Sequence, residues 1–381
     1  MKSFDAIVIG VGGMGSAALW HLARRGRKVL GIERFDLGHA MGSSHGLNRI
    51  IRLAYFEHPD YVPLLRRAYA LWRETESLAG EQLLFVTGGI DGGAEDSRVV
   101  QGSLRACREH DLPHEVLTAA ETARRFPGYR LPDGYAAVYQ PDAGFVASER
   151  AILAHASLAV AKGAEIHGRE RVVAIEPGQG RVVVVTDRDR YEAGTVIASA
   201  GAWIADLVPA LQGRAVPERQ VLGWFLPRDP AHFTPAVFPV SNILTEFGHF
   251  YQFPTWGIPG FKIGLYNHLR QHGHADSLSR EPTPEDEEVL RRGIRHMFPD
   301  ADGPILRLAA CLFTNTPDEH FVIDTLPGAP EVVVASPCSG HGFKFASVIG
   351  ETLADLATEG RTRHDLSLFA MGRFPGTAAA P

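Results

Sequence analysis

Phe4-Asp5-Ala6-Ile7-Val8-Ile9-Gly10-Val11-Gly12-Gly13-Met14-Gly15 decides the fold of this chain. The apolar run from Ala6 to Ile9 predicts a parallel strand buried on both faces. It breaks at Gly10, and a helical pattern follows from Gly15 to about Gly26. Between them Gly10, Gly12 and Gly15 spell G-x-G-x-x-G. Gly10 allows the tight turn, Gly12 lets a pyrophosphate approach the backbone, and Gly15 lets the helix pack on the strand. The helix N-terminus then offers unbonded N–H groups and a partial positive charge to phosphates. A second strand, Lys28 to Ile32, ends at Glu33. An acidic residue there suits a ribose 2′-OH and repels a 2′-phosphate. Strand, turn, helix, strand and acid in this order predict a dinucleotide-binding unit. The motif serves FAD and NAD alike. Its place near the start of the chain, followed by a Gly/Ser/His-rich segment rather than a further βαβ unit, favours FAD.

The 381 residues provide for two domains, or for one large domain with an insertion. Hydrophobic (45%) and charged (22%) fractions are those of a globular protein, so a packed core is expected. A net charge of −6 and the lack of a Lys/Arg run argue against nucleic acid as the main partner. No apolar run reaches the roughly 18 residues of a membrane span, and the immediate first strand leaves no room for a signal peptide. Cys107, Cys311 and Cys338 do not make a disulfide framework, so a cytoplasmic location is expected. Without a C-x-x-C pair, neither a metal site nor a redox dithiol is expected. The Pro/Ala-rich end, Phe374 to Pro381, reads as a frayed tail.

Along the chain, Asp36 to Arg52 reads as a loop near the nucleotide. Arg49 and Arg52, three apart on one face of a short helix, could point at one anionic group; a solvated basic face is the alternative. Helices are expected over His58 to Glu76, Ser97 to His110, Ala119 to Phe126 and Ser148 to Lys162, the last with Ser148 as N-cap. Leu84 to Asp91 and Tyr135 to Tyr139 read as strands. Glu165 to His167, Val172 to Ile175 and Arg181 to Asp187 alternate as antiparallel strands. Tyr191 to Ala200 returns the chain to the nucleotide, ending in small residues before Gly201 and Trp203. Strand-like segments dominate Val216 to Leu312, with one helix at Pro284 to Met297 capped by Thr283. Glu331 to Ser336 is a buried strand leading through Pro337-Cys338-Ser339-Gly340-His341-Gly342 into a helix from about Phe343 to Thr358. The fold class expected is α/β: an FAD-binding Rossmann-like domain (1–83, 149–215, 320–373) with an interleaved α+β substrate domain on a large mixed sheet (84–148, 216–319), then a tail, 374–381.

Three separated segments carry the chemistry: Gly42-Ser43-Ser44-His45-Gly46-x-x-Arg49-Ile50-Ile51-Arg52, Cys311-x-x-Thr314-x-Thr316-Pro317-Asp318-Glu319-His320-Phe321-Val322-Ile323-Asp324, and Ser339-Gly340-His341-Gly342-Phe343-Lys344-Phe345. With these, over nearly its whole length, the chain resembles the monomeric sarcosine oxidase / N-methyltryptophan oxidase family. The resemblance implies FAD joined through its 8α-methyl carbon to Cys311, and oxidation of a secondary amine by O₂ to an imine and H₂O₂. It implies catalytic roles for Lys262, Arg49, His45 and Tyr251. Lys262 would lie over the flavin and stabilise developing superoxide, and Arg49 would offset negative charge on the reduced ring. Arg52 and Lys344 would hold the substrate carboxylate, a planar fork plus a point charge. Tyr55 matches a mobile residue near the entrance, and Tyr251 lines the amine pocket with Tyr266 and Phe313. The cofactor residues implied are Gly10, Gly12, Gly13, Met14, Gly15, Glu33, Arg34, Gly42, Ser43, Arg49, Val172, Ser199, Gly201, Trp203, Cys311, Gly340, Gly342, Phe343 and Lys344. Cys338 falls outside the matching motif, and His320 and His341 are expected to be structural. By residue type alone, Cys311 is a small buried hydrophobe, Lys262 an edge-strand lysine and His45 a satisfied loop histidine.

The chain departs from the family pattern at three places. Tyr266 stands four residues after Lys262, where sarcosine oxidases typically carry histidine. Phe313 replaces an aromatic hydroxyl two residues after Cys311, and Asn48 replaces a threonine. The first change removes a group that titrates near neutral pH, and the second makes the pocket more apolar. Both leave the identity of the amine open between sarcosine, another N-methyl amino acid, and a bulkier or cyclic amino acid. The partners expected are a small carboxylate-bearing amine and O₂, with the protein a monomer. Rival readings are a dehydrogenase that passes electrons to another protein and a non-catalytic flavin protein. An NAD-linked enzyme is disfavoured, because no second βαβαβ half is visible.

Overall fold

A computed structural model describes residues 1–374. Its first sheet has a parallel core in the order Glu165–His167, Val29–Ile32, Lys2–Ile9, Arg190–Ala198, Ala329–Ser336. Ile7, Val8, Val196, Ile197, Val332 and Val333 are wholly buried there, because helices and a hairpin cover the faces of a parallel sheet. Strand Arg190–Ala198 is shared lengthwise. Its residues 190–193 pair antiparallel with Val182–Thr186, and residues 196–198 pair parallel with Ala329–Ser336. Helix Gly13–Ala23 packs against Ser148–Ala161 and Ala346–Glu359. Only Met14 of the first helix escapes burial, so its sequence shows no amphipathic stripe. A Cβ at Gly350 would come within 2.5 Å of Ala17, and this absence of bulk sets how closely the helices approach.

The second sheet runs Ile305–Asn315, Val216–Phe225, Phe261–Leu265, Gly248–Phe253, Val240–Thr245, Gly89–Ala94, Tyr135–Gln140, Glu115–Thr118. Every pairing is antiparallel except Val240–Thr245 with Gly89–Ala94, so it is the mixed sheet expected. Helix Pro284–Met297 covers one side, held at its start by a reciprocal capping box between Thr283 and Asp286. Tyr129, Phe238, Phe261 and Phe298 fill the space beneath it. A third, three-stranded sheet joins Asn48–Ile51, Gly144–Ala147 and Leu84–Val86. It takes strands from both sides of the 83/84 boundary.

Several local expectations are corrected. Arg49 and Arg52 do not share a helix face: Asn48–Ile51 is a strand, and residues three apart in a strand face opposite ways. Ile50-Ile51 are β-branched, and the antiparallel partner Gly144–Ala147 decides for the strand. Leu84 to Asp91 is two strands, broken where Gly88 takes φ 73° and sends the chain from the small sheet to the large one. Ser148 is the first helical residue rather than the cap, since strand Gly144–Ala147 runs directly into the helix. Glu165–His167 lies parallel to Val29–Ile32, not antiparallel. Val240–Thr245 carries the buried polar pair Ser241 and Asn242, which hid it as a strand. In the proposed tail, Phe374 is buried and residues 375–381 lie outside the described residues. Among the described residues no helix is long and apolar enough to cross a membrane, and no metal-ligand cluster occurs.

Candidate active site

One long cleft runs across the carboxyl ends of the parallel strands into the second sheet. At its first end Gly10 turns at φ 84°, where a Cβ would press to 2.7 Å from the Ser199 carbonyl oxygen. A Cβ on Gly12 would meet nothing nearer than the Ser44 hydroxyl at 3.9 Å, so its α-carbon is open to the cleft. Gly13 and Met14 line the cleft, whereas Gly15 packs on the Gly10 carbonyl behind it. Glu33 takes the Val11 N–H at 2.9 Å and the Phe35 N–H at 3.0 Å, which fixes its carboxylate at the turn. Ser199 returns both its N–H and its hydroxyl to the Ile9 carbonyl at 2.9 Å. Arg34 lies against the rings of Phe35 and Trp203 and pairs with Asp276 at 3.0 Å; the Trp203 indole N–H donates to the same carboxylate. Val172 and Gly201 complete this end.

The other end gathers Gly42, Ser43, Arg49, Tyr251, Tyr266, Cys311, Phe313, Gly340, Gly342, Phe343 and Lys344 along the cleft wall. The backbone holds these segments together. Leu312 donates its N–H to Gly42 at 3.4 Å, and Ser339 its N–H to Thr314 at 2.9 Å. Cys311 is buried on strand Ile305–Asn315. Burial pushes its thiol up, against the pull of Arg49 and Lys262. Cys338 reaches the same cleft, its thiol pushed up to about 11 by burial. The Ser43 hydroxyl is buried on the cleft wall without a partner in the chain, and the Thr314 hydroxyl lies beside the Cys338 thiol.

The loop 43–49 is organised by charge. Glu149, on helix Ser148–Ala161, accepts the N–H groups of Gly46 at 2.7 Å and Leu47 at 3.0 Å, and the Ser148 hydroxyl at 2.6 Å. These bonds hold Gly46 at φ 95° and Leu47 at φ 76°, the latter a conformation that is sterically costly for a residue with a branched side chain. The carbonyls turned the other way meet two cations. Arg49 donates to Ser43 O at 2.7 Å and Asn48 O at 2.9 Å. Lys262 donates to Gly46 O, Asn48 O and Asn48 Oδ1 at 2.7, 2.9 and 2.7 Å. Lys262 therefore faces the loop, behind Phe253, and does not line the cleft. His45 is buried nearby with neither ring nitrogen bonded; burial, reinforced by Arg49, lowers it to about 3, so it is neutral.

The carboxylate-binding pair expected from the sequence is more enclosed than anticipated. Arg52 is buried and donates to both Glu57 oxygens at 3.0 and 2.8 Å and to the Ala54 carbonyl at 2.7 Å, with Asp91 at 3.6 Å. Its fork is already engaged. Burial alone would raise the Glu57 carboxyl, but Arg52, His341 and Lys344 hold it at about 2. Lys344 donates to the His341 carbonyl at 2.6 Å and lies 3.4 Å from the Tyr55 hydroxyl. Burial, helped by Arg52, lowers Lys344 to about 7, while Glu57 and Asp91 oppose. Both cations lie against the Tyr55 ring, at 4.5 and 5.1 Å from its centre. Tyr55 itself is fully buried, contrary to its expected place in a mobile entrance loop. Its hydroxyl meets His341 Nδ1 at 2.6 Å, and His341 Nε2 donates to the Glu319 carbonyl, the structural role expected of that histidine. His320 likewise meets the Tyr61 hydroxyl at 3.1 Å.

Tyr251, Tyr266 and Phe313 form an aromatic wall, with ring centres 5.1 Å apart for the first pair and 5.8 Å for the second. Behind Tyr266, at 4.5 Å, His249 stacks parallel to it, neutral and with neither nitrogen bonded. Sequence reasoning missed His249, Glu57, Asp91, Glu149 and Asp276. Glu57 acts through Arg52, five residues before it, across a loop without a periodic pattern, and the other four act through partners distant in the chain; only the run Ser148-Glu149 at a helix start carried a local signal.

Residues 5–356 match the FAD dependent oxidoreductase family. A monomeric sarcosine oxidase of Streptomyces avermitilis is 42% identical over all of this chain and 99% of its own length. An N-methyl-L-tryptophan oxidase of Yersinia pestis is 35% identical over 97% of this chain and 99% of its own. Among solved structures, NikD, described as an unusual amino acid oxidase essential for nikkomycin biosynthesis, aligns with a TM-score of 0.85 at 27% identity, covering 97% of this chain and 98% of its own. The glycine-rich turn, the returning strand at Ser199 and the cysteine-lined cleft thus lie in a chain that belongs to the FAD dependent oxidoreductase family.

Proposed function

We propose that the chain oxidises a small secondary amine bearing a carboxylate, sarcosine or a related N-methyl amino acid, with O₂ as acceptor and FAD attached to Cys311. The observation that carries this reading is the buried Lys344, which lines the cleft together with Tyr251, Tyr266 and Phe313 and shares the Tyr55 ring with Arg52, a second buried cation that lies behind the lining. The chain's residues fit FAD: the open α-carbon at Gly12 suits a pyrophosphate, and the unpartnered hydroxyl of Ser43 suits a polar ring edge. Gly10, Gly13, Met14, Glu33, Arg34, Val172, Ser199, Gly201 and Trp203 would hold the nucleotide. Arg49, Cys311 and Gly340 to Lys344 would hold the ring system.

FAD, when bound, supplies the acceptor for a hydride equivalent and passes the electrons to O₂. Lys344, charged below about pH 7, takes the substrate carboxylate, and Arg52 joins it by exchanging Glu57 for the incoming group. Tyr251, Tyr266 and Phe313 exclude water around the amine. That environment disfavours the ammonium form and leaves the nitrogen lone pair available. Arg49 and Lys262 put positive charge beside this end of the cleft, favouring negative charge that develops there. The proposal further includes a monomer in the cytoplasm, consistent with three free cysteines, and the domain division 1–83, 149–215 and 320–373 against 84–148 and 216–319.

One observation favours the dehydrogenase reading: all three Lys262 N–H groups are donated to the loop, and the side chain is off the cleft. An amine panel with peroxide detection in air separates the two. Peroxide formed at the rate of amine consumption supports the oxidase; turnover only with an added dye refutes it. Acid precipitation tests the linkage. Yellow retained in the pellet, and lost in Cys311→Ala, supports attachment, whereas a colourless wild-type pellet, or colour kept in the variant, refutes it.

A further inference from the structure

We propose that Asn48 is a positioning residue for Lys262: its side-chain carbonyl is the third acceptor that keeps the buried ammonium charged and fixed against the loop 43–49. The inference rests on the reading that Lys262 serves O₂ reduction. An ammonium has three N–H donors. Lys262 is 1% exposed, so each donor must find its acceptor within the protein. Two acceptors are the backbone carbonyls of Gly46 and Asn48, which persist through any side-chain substitution. The third, Asn48 Oδ1 at 2.7 Å, depends on the identity of residue 48. Asn48 is itself 1% exposed, which leaves no ready route for water to replace it.

The surrounding charges make this acceptor matter. Burial drives the Lys262 ammonium well below its ordinary range, and Arg49, on strand Asn48–Ile51, adds to the effect. Glu149, on helix Ser148–Ala161, and Cys311, on strand Ile305–Asn315, oppose it. His45, in the loop, is neutral. Glu149 is already committed to the Gly46 and Leu47 N–H groups. The faces of Phe253 and Trp224 lie 4.1 and 5.6 Å from the ammonium and attract it, and Asn48 is the side chain that accepts a hydrogen bond from it. An amide does so without cancelling the charge. A carboxylate at this position would hold the proton more firmly but neutralise the field, and a hydrocarbon would leave one N–H unbonded.

The chain has five lysines, Lys2, Lys28, Lys162, Lys262 and Lys344, few enough for each side chain to be followed by NMR with ¹³C at the ε-carbon. The FAD-loaded protein would be titrated as wild type, Asn48→Leu, Asn48→Thr and Asn48→Asp, with Lys262→Met assigning the resonance. The Lys262 midpoint should fall by about one pH unit or more in Asn48→Leu, a tenfold change in proton affinity. It should stay near wild type in Asn48→Thr, which keeps an oxygen, and rise in Asn48→Asp. In parallel, the decline with rising pH in the reaction of the anaerobically reduced protein with O₂ should set in about one unit earlier in Asn48→Leu, while reduction by the amine changes far less. A Lys262 midpoint that is the same in wild type, Asn48→Leu and Asn48→Asp overturns the inference. Should Asn48→Leu fail to fold, the upward shift in Asn48→Asp, or its absence, decides alone. If the midpoints move as expected but neither Lys262→Met nor Asn48→Leu alters the O₂ reaction, the link between Asn48 and Lys262 stands and the O₂ role of Lys262 falls.

Discussion

Replacing Glu57 by Gln asks whether Arg52 is available to a carboxylate ligand. In the wild type both Glu57 oxygens accept from the Arg52 guanidinium, at 3.0 and 2.8 Å, and an incoming carboxylate competes for the same fork. Gln keeps one acceptor and loses the charge. A hydrogen bond to a charged group is worth about 1.5–3 kcal/mol, so weakening this one at its low end releases about 1.4 kcal/mol, or tenfold in affinity. Acetate, which resembles the carboxylate and cannot be oxidised as an amine, is the probe. Its Kd, read from the flavin spectrum about one unit below the Lys344 midpoint of about 7, should tighten about tenfold in Glu57→Gln. Working on the acidic side keeps Lys344 charged, because loss of Glu57 also removes one of the groups that raise it. The same substitution should cost stability. A carboxyl held at about 2 instead of its ordinary 4.5 contributes up to about 3 kcal/mol. This contribution is present in full above the unfolded value and is lost as pH falls toward about 2. Glu57→Gln should therefore melt several degrees lower at neutral pH while binding acetate more tightly. An acetate Kd that is unchanged or weaker would refute the competition between Glu57 and ligand.

Two further outcomes follow from the charges. Lys344 loses its proton at about 7 in the free enzyme, so affinity for a carboxylate should fall tenfold per pH unit above that point; Lys344→Met should abolish the pH dependence, as measured by acetate titration across the range. His21, His155 and His249 are buried and lowered by burial to about 3, so the native state binds fewer protons than the unfolded chain between about 3 and the ordinary 6.5. Stability should drop as pH falls through that window, by about 1 kcal/mol per histidine per unit. Denaturant melts of wild type and His155→Phe at pH values across it would check the sign, with the variant losing less.

The nucleotide end of the cleft was legible because its signals are local. Gly10, Gly12 and Gly15 stand in fixed spacing between a strand and a helix, and Thr283-Pro284 with Asp286 announces a helix start on its own. The substrate end was only partly legible. Arg49-Ile50-Ile51-Arg52 is compatible with helix or strand until Gly144–Ala147 pairs with it. Arg52 reads as a free cation until Glu57 and Asp91 appear beside it, the latter from a different strand. Lys262 stands out as a charge in an apolar strand, but its direction is set by carbonyls of a loop that Glu149 turns from a helix far along the chain. The family resemblance puts Tyr55 at a mobile entrance position, whereas its burial depends on Tyr61, His341 and Phe345 closing round it.

The strand Arg190–Ala198 pairs with the opening strand on one edge and, at its far end, with Ala329–Ser336 on the other. Gly13 meets Phe343 across the same cleft. The cradle is therefore assembled from the beginning, the middle and the end of the polypeptide. A ribosome must release nearly all of the chain before the nucleotide has a complete surface to bind, so synthesis precedes cofactor loading. The half-made protein meanwhile exposes the unpaired edges of a parallel sheet, whose contacts are long-range and slow to form. Supply of FAD during expression then acts as a folding ligand, drawing the last strand and helix onto a sheet that waits for them.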